Sequence, residues 1–436
     1  RMQAADFEPD AITFSCILKA CGNTGAVDKG EEIHAEVRKR GLITNNPVIG
    51  NAVVDMYAKC DMLLKAQQVF DELPTPNIVS WNAMISGYVQ NGSSRQALDC
   101  FARMRDNDIS PNEVTFTCIL KACGNLRVVQ KGEEIYAELQ KQRLLERNNM
   151  LGNALVDMYA KCGALEKAQK ALDEFCIQDV ASWTALIAGY VEEGSNHKAL
   201  NCFERMQTEG ICPNAITYSL ILKACSNIGV IDKGMKIHDD IVNNRHCVIE
   251  KNVMLGTALI GMYAKCGMLA KAQEVHHGIL CRDVISWSTL ISAYAQHERG
   301  HEALHCFEQM KSEGVSPNEV IFTCILKACR SIGAIDKAKQ VHDEIVEKGL
   351  LKKDGILGTA LVDMYVKCGL LAKAQEVHDE IRTRDIVAWN TLIGGYAQCG
   401  YNHEVAKCFE QMQTEHLFPD AITFFVECMQ LLGEVE

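Results

Sequence analysis

The 436-residue sequence predicts an all-α fold, an α-solenoid of helix-turn-helix repeats, on three observations. First, a tryptophan recurs at Trp81, Trp183, Trp287 and Trp389, with spacings of 102, 104 and 102. Second, the tyrosine of MYAKC or MYVKC recurs at Tyr57, Tyr159, Tyr263 and Tyr365 with the same spacings, and the string LKAC opens at Leu18, Leu120, Leu222 and Leu326. Third, the apolar residues inside each period are spaced as on two short helices. Self-similarity of this kind marks a repeat architecture: a lone helical hairpin cannot bury its apolar face, so neighbours must stack on it.

Each period divides into three related repeats of 36, 31 and 35 residues, aligned on a polar fifth residue. They run 11–46, 47–77, 78–112, 113–148, 149–179, 180–214, 215–252, 253–283, 284–318, 319–354, 355–385 and 386–420. Extra residues near Asn243 to Lys251 lengthen one repeat to 38 and account for the spacing of 104. Residues 1–10 match the tail of a 35-residue repeat and 421–436 the first helix of a 36-residue one, so both ends are expected to fall mid-repeat in a longer array. In 78–112, Trp81, Met84, Ile85, Tyr88 and Val89 follow the i, i+3, i+4, i+7, i+8 pattern of one helix. NGSS interrupts it, and Ala97, Leu98, Phe101 and Met104 form a second stripe before Pro111. Gly92 stands where a helix ends, and a proline cannot continue a helix backward.

Composition narrows the function classes. With 48% hydrophobic and 23% charged residues the chain is not disordered, and no run approaches the 18 apolar residues of a membrane span. The net charge of −12, from 44 basic and 56 acidic side chains, disfavours non-specific binding to polyanions or anionic membranes. The 21 cysteines include no CxxC, and fifteen fall in repeat register, as Cys21, Cys60 and Cys100 do. They read as small buried apolar residues of a reducing compartment. The N-terminal RMQAADFEPD has no targeting character, so such a segment is either lacking or removed.

The 35, 36, 31 alternation, with IVSWNAMISGYVQNG, EVTFTCILKACGN, and LGNALVDMYAKCG followed by LEKAQ, resembles the P, L and S motifs of the plant pentatricopeptide repeat family, PLS class, across essentially the whole chain. The resemblance implies a right-handed superhelical array that reads single-stranded RNA at one base per repeat, by the fifth and last residues of each. Its P-type pairs are Asn82 with Asn112, Thr184 with Asn214, Ser288 with Asn318 and Asn390 with Asp420. Its S-type pairs are Asn51 with Asn77, Asn153 with Asp179, Thr257 with Asp283 and Thr359 with Asp385. The L-type pairs, weaker readers in the family, are Ser15 with Asn46, Thr117 with Asn148, Ser219 with Asn252 and Thr323 with Asp354. Residue 2 flanks the base in the family, which brings in Val48, Val79, Val114, Ile285 and Val387; core packing is an equal reading of each.

The chemistry of the last position follows from the bases. Uracil and guanine present a ring N–H that an ionised Asp accepts, whereas cytosine and adenine present a ring acceptor that an Asn amide satisfies. The family's rule adds that Thr or Ser at position five goes with purines and Asn with pyrimidines. Read 5′ to 3′, repeats two to twelve imply Y, Y, A, U, A, A, G, A, G, G, U, with Y a C-favouring pyrimidine and an A before them from the first repeat. An Asn or Asp directly ahead of a helix is also what an N-cap needs, so this position carries two readings. Lys59, Lys161, Lys265 and Lys367, at position 13 of the 31-residue repeats, are phosphate candidates or members of a solvated helix face. Lys19, Lys121, Lys223 and Lys327, inside LKAC, carry the same two readings.

No catalytic constellation, metal site or cofactor is expected. His297, Glu298 and His301 spell HExxH, but the string replaces an inter-helix turn and contains Gly300, so the two histidines do not share a helix turn. HxE at His34, His342 and His378 lacks the PCxxC that a zinc deaminase needs. The chain is therefore expected not to be an enzyme. By resemblance, its parent is a C-to-U editing factor of chloroplast or mitochondrion, working as a monomer with no membrane contact and meeting accessory editing proteins through L-type motifs. The competing reading is a tetratricopeptide-like scaffold that holds a peptide in the same groove.

Overall fold

The computed structural model describes residues 9–145, 148–174, 179–243, 252–352, 355–382, 384–415 and 417, and every regular element among them is a helix. The fold is all-α, as the periodicity predicts. The chain forms two compact units, Arg1–Ile221 and Leu222–Glu436. The first holds helix pairs that open with Ala11–Thr24 and Val27–Lys39, then Pro47–Lys59 and Leu63–Asp71, Ile78–Gln90 and Ser94–Asp106, Glu113–Leu126 and Val129–Lys141, Asn149–Lys161 and Leu165–Glu174, and Val180–Glu192 and Asn196–Thr208. In the second, Val253–Lys265 and Leu269–Gly278 are followed by Val284–Gln296 and Gly300–Ser312, Glu319–Ile332 and Ile335–Glu347, Gly355–Lys367 and Leu371–Glu380, and Ile386–Gln398 and Asn402–Thr414.

Within each unit the first helices form one layer and the second helices another. Helix Ile78–Gln90, for example, packs on Pro47–Lys59, on Glu113–Leu126 and on its own partner Ser94–Asp106. A helix covered on three sides needs apolar residues almost all round, which is why Trp81, Met84 and Ile85 are buried with Ser80 and Gly87. Its partner, exposed on one side, buries only the stripe Ser94, Ala97, Cys100, Phe101 and Met104. The described cysteines are free thiols; Cys21, Cys100 and their counterparts are core residues, whereas Cys60 and its counterparts are half-buried, and burial pushes the Cys100 thiol up to about 12. On the second-helix layer, acids pair with bases of the adjacent repeat, as Arg38 with Glu72 at 2.9 Å and Arg205 with Asp173 at 2.7 Å. These pairs are solvent-exposed and contribute about 0–1 kcal/mol each.

Two glycine positions are set by the backbone. Gly92 turns the chain between helices at φ +74°, a left-handed conformation that also occurs at Gly194 and Gly400 and, in the HExxH turn, at Glu298 with φ +58°. Gly87 instead lets two first helices approach: a Cβ there would lie 2.5 Å from the Cβ of Ala58. Gly87→Ala is expected to cost about 1–3 kcal/mol by overpacking. Urea unfolding checks this, and an unchanged midpoint would mean the neighbouring helices yield without cost.

Candidate nucleic-acid interface

On an α-helix, residues at positions 2, 5, 9 and 13 share one face. In Pro47–Lys59 these are Val48, Asn51, Asp55 and Lys59, and all four line one groove segment of about 690 Å³. The same groove takes in Lys19, Asn77, Val79, Asn82 and Val114 from the neighbouring repeats. Residues two, five and last of successive repeats thus converge on the single side of the first-helix layer that no other helix covers.

The apolar residues at position two are not core. Val48, Val79, Val114, Ile285 and Val387 are 63%, 57%, 45%, 60% and 55% exposed. Ile12, Met150, Ile216, Met254, Val320 and Ile356 are exposed at the same position of other repeats. A row of uncovered apolar side chains, broken by the small Ala181 in 180–214, is an arrangement that flat aromatic rings can slot between.

Among the described residues, the last residue of a repeat does cap the following helix. Asn46, Asn77, Asn112, Asn148, Asp179, Asn214, Asn252, Asp283, Asn318 and Asp385 all accept a backbone N–H of the first turn, at 2.8–3.1 Å in the shortest bond of each. The cap uses only Oδ1. It thereby fixes the other terminal atom, Nδ2 in Asn and Oδ2 in Asp, as the one left for a ligand. Capping therefore does not exclude a second role for these residues, because it occupies one terminal atom of each.

Three fifth-position asparagines meet that last residue across the groove. Asn51 Nδ2 donates to Asn77 Oδ1 at 3.3 Å, Asn82 Nδ2 to Asn112 Oδ1 at 3.0 Å and Asn153 Nδ2 to Asp179 Oδ2 at 2.7 Å. Ser288 Oγ lies 3.5 Å from Asn318 Oδ1, and Thr184 reaches Asn214 through Thr217. The hydroxyls of Thr117, Ser219, Thr323 and Thr359 donate to the carbonyl one turn back on their own helix, at 2.8–2.9 Å. Ser15 and Thr257 keep hydroxyls that are buried and without a hydrogen-bond partner. Asn390 is half-buried in the same helical register; Asp354 and Asp420 lie outside the described residues.

The lysines divide. Lys59 pairs with Asp55 at 2.7 Å and Lys161 with Asp157 at 2.9 Å, both one turn back, while Lys265 donates to Asn227 Oδ1 at 3.3 Å and Lys367 is exposed. Position nine holds the LKAC lysines that the sequence offers as groove residues, and Lys19 does line the groove; Asp55 joins it from the same position, where the sequence pattern alone did not single out an aspartate. The histidines of the HxE strings serve the core: His34 and His342 bond Tyr57 and Tyr365 hydroxyls at 2.9 Å, and burial lowers the pKa of each ring. His378 is wholly buried. His297 caps the end of one helix and His301 lies in the next, with Glu298 in the turn between.

Three family models match. The PPR repeat family covers 76–125, 178–227, 282–331 and 384–426; the pentatricopeptide repeat domain covers 1–59; and the PPR repeat covers 51–75, 153–176, 257–284, 320–350 and 359–386. Among curated proteins of Arabidopsis thaliana, the chain is 33% identical to pentatricopeptide repeat-containing protein At1g11290, chloroplastic, over 97% of its length and 52% of that protein. It is 34% identical to At2g03380, mitochondrial, over 96% and 60%, and 31% identical to At4g18520, chloroplastic, over 97% and 67%. The chain spans about half to two thirds of the length of these relatives. Among solved structures, the maize pentatricopeptide repeat protein PPR10 superposes with a TM-score of 0.63 at 23% identity, over 98% of this chain and 67% of that one. PPR10 in complex with an 18-nt psaJ RNA element superposes at 0.62 and 19%, over 98% and 72%. At these identities the likeness is one of fold.

Proposed function

The chain belongs to the pentatricopeptide repeat family, and from that membership we propose that it binds single-stranded RNA in the groove of its first-helix layer, one base per repeat. The observation that carries this reading is the division of labour in the last residue, whose Oδ1 caps a helix while the second terminal atom is left to meet a base. Asn112 then offers an N–H to a cytosine or adenine ring acceptor, and Asp179 offers an oxygen to a uracil or guanine ring N–H. Rows of exposed aliphatic residues at position two support stacking on either side of each base. A likeness of fold to a protein held in complex with RNA is consistent with it. Finer parts of the proposal are the PLS class, the division into twelve motifs, and the twenty-four reading positions, with L-type repeats reading weakly. At the L-type Asn148, Nδ2 is already engaged by Glu113 Oε2 at 2.8 Å, which favours that weakness.

For the parent protein we propose an organellar C-to-U editing factor, chloroplastic or mitochondrial as its relatives are named, in which this array selects the target and supplies no chemistry. A monomer, with accessory proteins at L-type repeats, completes the proposal.

The 12-nucleotide RNA 5′-ACCAUAAGAGGU-3′ is expected to bind at least ten-fold more tightly than its scrambled counterpart. The log–log slope of affinity on salt should be about −0.7 per phosphate contact. Fluorescence anisotropy over a salt series measures both. Equal affinity for the scrambled strand would overturn the base-reading proposal. Salt-independent capture of a peptide in the same groove, without RNA binding, would favour the tetratricopeptide-like scaffold.

A further inference from the structure

We propose that Thr115 and Thr217, each the third residue of its repeat, are positioning residues for the base-reading pair of the repeat before, Asn82 with Asn112 and Thr184 with Asn214. The proposal rests on the base-reading function above and adds a residue to it. Both threonines are wholly buried, at 0% exposure, so their hydroxyls meet no solvent and no RNA.

The hydrogen bonds around Thr115 leave one assignment. Asn112 Oδ1 already accepts the Thr115 N–H at 3.1 Å and Asn82 Nδ2 at 3.0 Å, which fills its two lone pairs. The Thr115 hydroxyl accepts the Asn112 N–H at 3.2 Å. Its single proton therefore goes to Asn82 Oδ1, at 2.6 Å, and not to Asn112 Oδ1 at 3.0 Å. With Oδ1 of Asn82 so held, its amide cannot rotate. The pair then presents N–H groups of Asn82 and Asn112 in fixed directions, and two donors suit the adjacent ring nitrogen and carbonyl acceptors of cytosine while opposing the ring N–H of uracil.

Thr217 repeats the arrangement, with its hydroxyl 2.7 Å from Thr184 Oγ1 and 3.0 Å from Asn214 Oδ1. Thr184 donates to the Val180 carbonyl at 2.6 Å, so the Thr217 proton points at the Thr184 oxygen. Thr13, at the same position, instead donates its hydroxyl to the capping oxygen of Asp10, at 2.6 Å. At the corresponding position of 319–354 stands the buried Ile321, and there the Ser288 to Asn318 distance stretches to 3.5 Å. Position three of the 31-residue repeats is aliphatic, as at Ile49 and Leu151, and in the 35-residue repeats the buried Ser80, Ser182 and Ser286 turn their hydroxyls to the backbone carbonyl of Asn77, Asp179 and Asp283, so among the described residues the bond to a fifth residue is made at the junction that follows a 35-residue repeat.

The test compares Thr115→Val, Thr115→Ser and Asn112→Asp with the parent chain on 5′-ACCAUAAGAGGU-3′ and on the strand whose third nucleotide is U. Thr115→Val keeps the shape and loses the hydroxyl, which frees the Asn82 amide to offer Oδ1 to uracil. The C-over-U ratio should fall about five-fold, the worth of one hydrogen bond. Thr115→Ser should restore it, and U-over-C selection at the fifth nucleotide should not move in either. An unchanged ratio in Thr115→Val, with Asn112→Asp reversing the preference, overturns the positioning role and leaves the base-reading function standing. An affinity loss shared by all strands with the ratio intact assigns Thr115 a structural role and likewise overturns the proposal. If Asn112→Asp also leaves the ratio unchanged, the reading of that pair falls with it. Should Thr115→Val fail to fold, Thr217→Val read at the sixth nucleotide, with A against G, decides the same question.

Discussion

Asp179→Asn is expected to change the base preferred at the fifth nucleotide from uracil to cytosine. Asp179 Oδ1 accepts the N–H groups of Ala181 and Ser182 at 3.0 and 3.1 Å, and Oδ2 accepts Asn153 Nδ2 at 2.7 Å. The second lone pair of Oδ2 is what a uracil ring N–H would meet. Substituting Asn keeps the capping oxygen but converts the second atom to a donor, so a charge-assisted bond to uracil becomes a clash of two N–H groups, while cytosine gains a partner. A hydrogen bond to a charged group is worth about 1.5–3 kcal/mol and a neutral one about 1 kcal/mol, so the U-over-C ratio should move roughly 100-fold. Folding should hardly change, because Asn and Asp cap helices about equally. Competitive binding of strands with U or C at that nucleotide measures the ratio; a drop in affinity for both alike would mean that Asp179 serves the helix and not the base.

A larger effect on stability is expected at His276. The ring is wholly buried, neither nitrogen has a hydrogen-bond partner, and its centroid lies 4.2 Å from that of Trp287. In the first unit the equivalent contact is made by Phe70 on Trp81 at 4.7 Å, so the pocket is one that suits an apolar ring. Burial, with Arg282 and His277 nearby, lowers the imidazole pKa from 6.5 to about 4. The unfolded chain therefore binds a proton between about pH 6.5 and 4 that the folded chain refuses. By linkage, stability is fully present above 6.5 and declines as pH falls through that window, by about 3 kcal/mol at its lower end. His378, buried against Trp389 at 4.3 Å with its pKa also lowered, adds a loss of the same sign. His276→Phe should raise stability at pH 7 by about 1–3 kcal/mol, because two buried polar atoms no longer go unsatisfied, and should flatten the acid decline. Urea unfolding at pH 7 and pH 5 reads both quantities. An unchanged pH dependence in the variant would place the acid sensitivity elsewhere.

Much of the interface was legible without coordinates. The fifth and last positions stand out in the sequence because every one of them is Ser, Thr, Asn or Asp. The helical period then suffices to bring residues 2, 5, 9 and 13 to one face, as Val48, Asn51, Asp55 and Lys59 illustrate. Two ambiguities did not yield to pattern. Val79 or Ile285 reads equally as core or as surface, since a helix packed on three sides is apolar nearly all round and its stripe no longer marks its buried face. The lysines at position 13 read as a uniform row, yet Lys59 and Lys161 are tied to aspartates one turn away and Lys265 is not, because Gly261 stands where Asp55 and Asp157 do. Thr115 was visible only as one polar residue among buried ones; its register with Thr13 and Thr217 was the available signal.

Repetition by itself determined the architecture of this protein. A period that returns Trp81, Trp183, Trp287 and Trp389 to the same place demands that each hairpin solve the same packing problem, and stacked all-α repeats solve it. Which fifth residue meets each capping residue, and through which atoms, only the tertiary structure decided. Those pairings are hydrogen bonds between residues about thirty positions apart, such as Asn82 with Asn112 and Thr115, and such bonds exist only once neighbouring helices have packed.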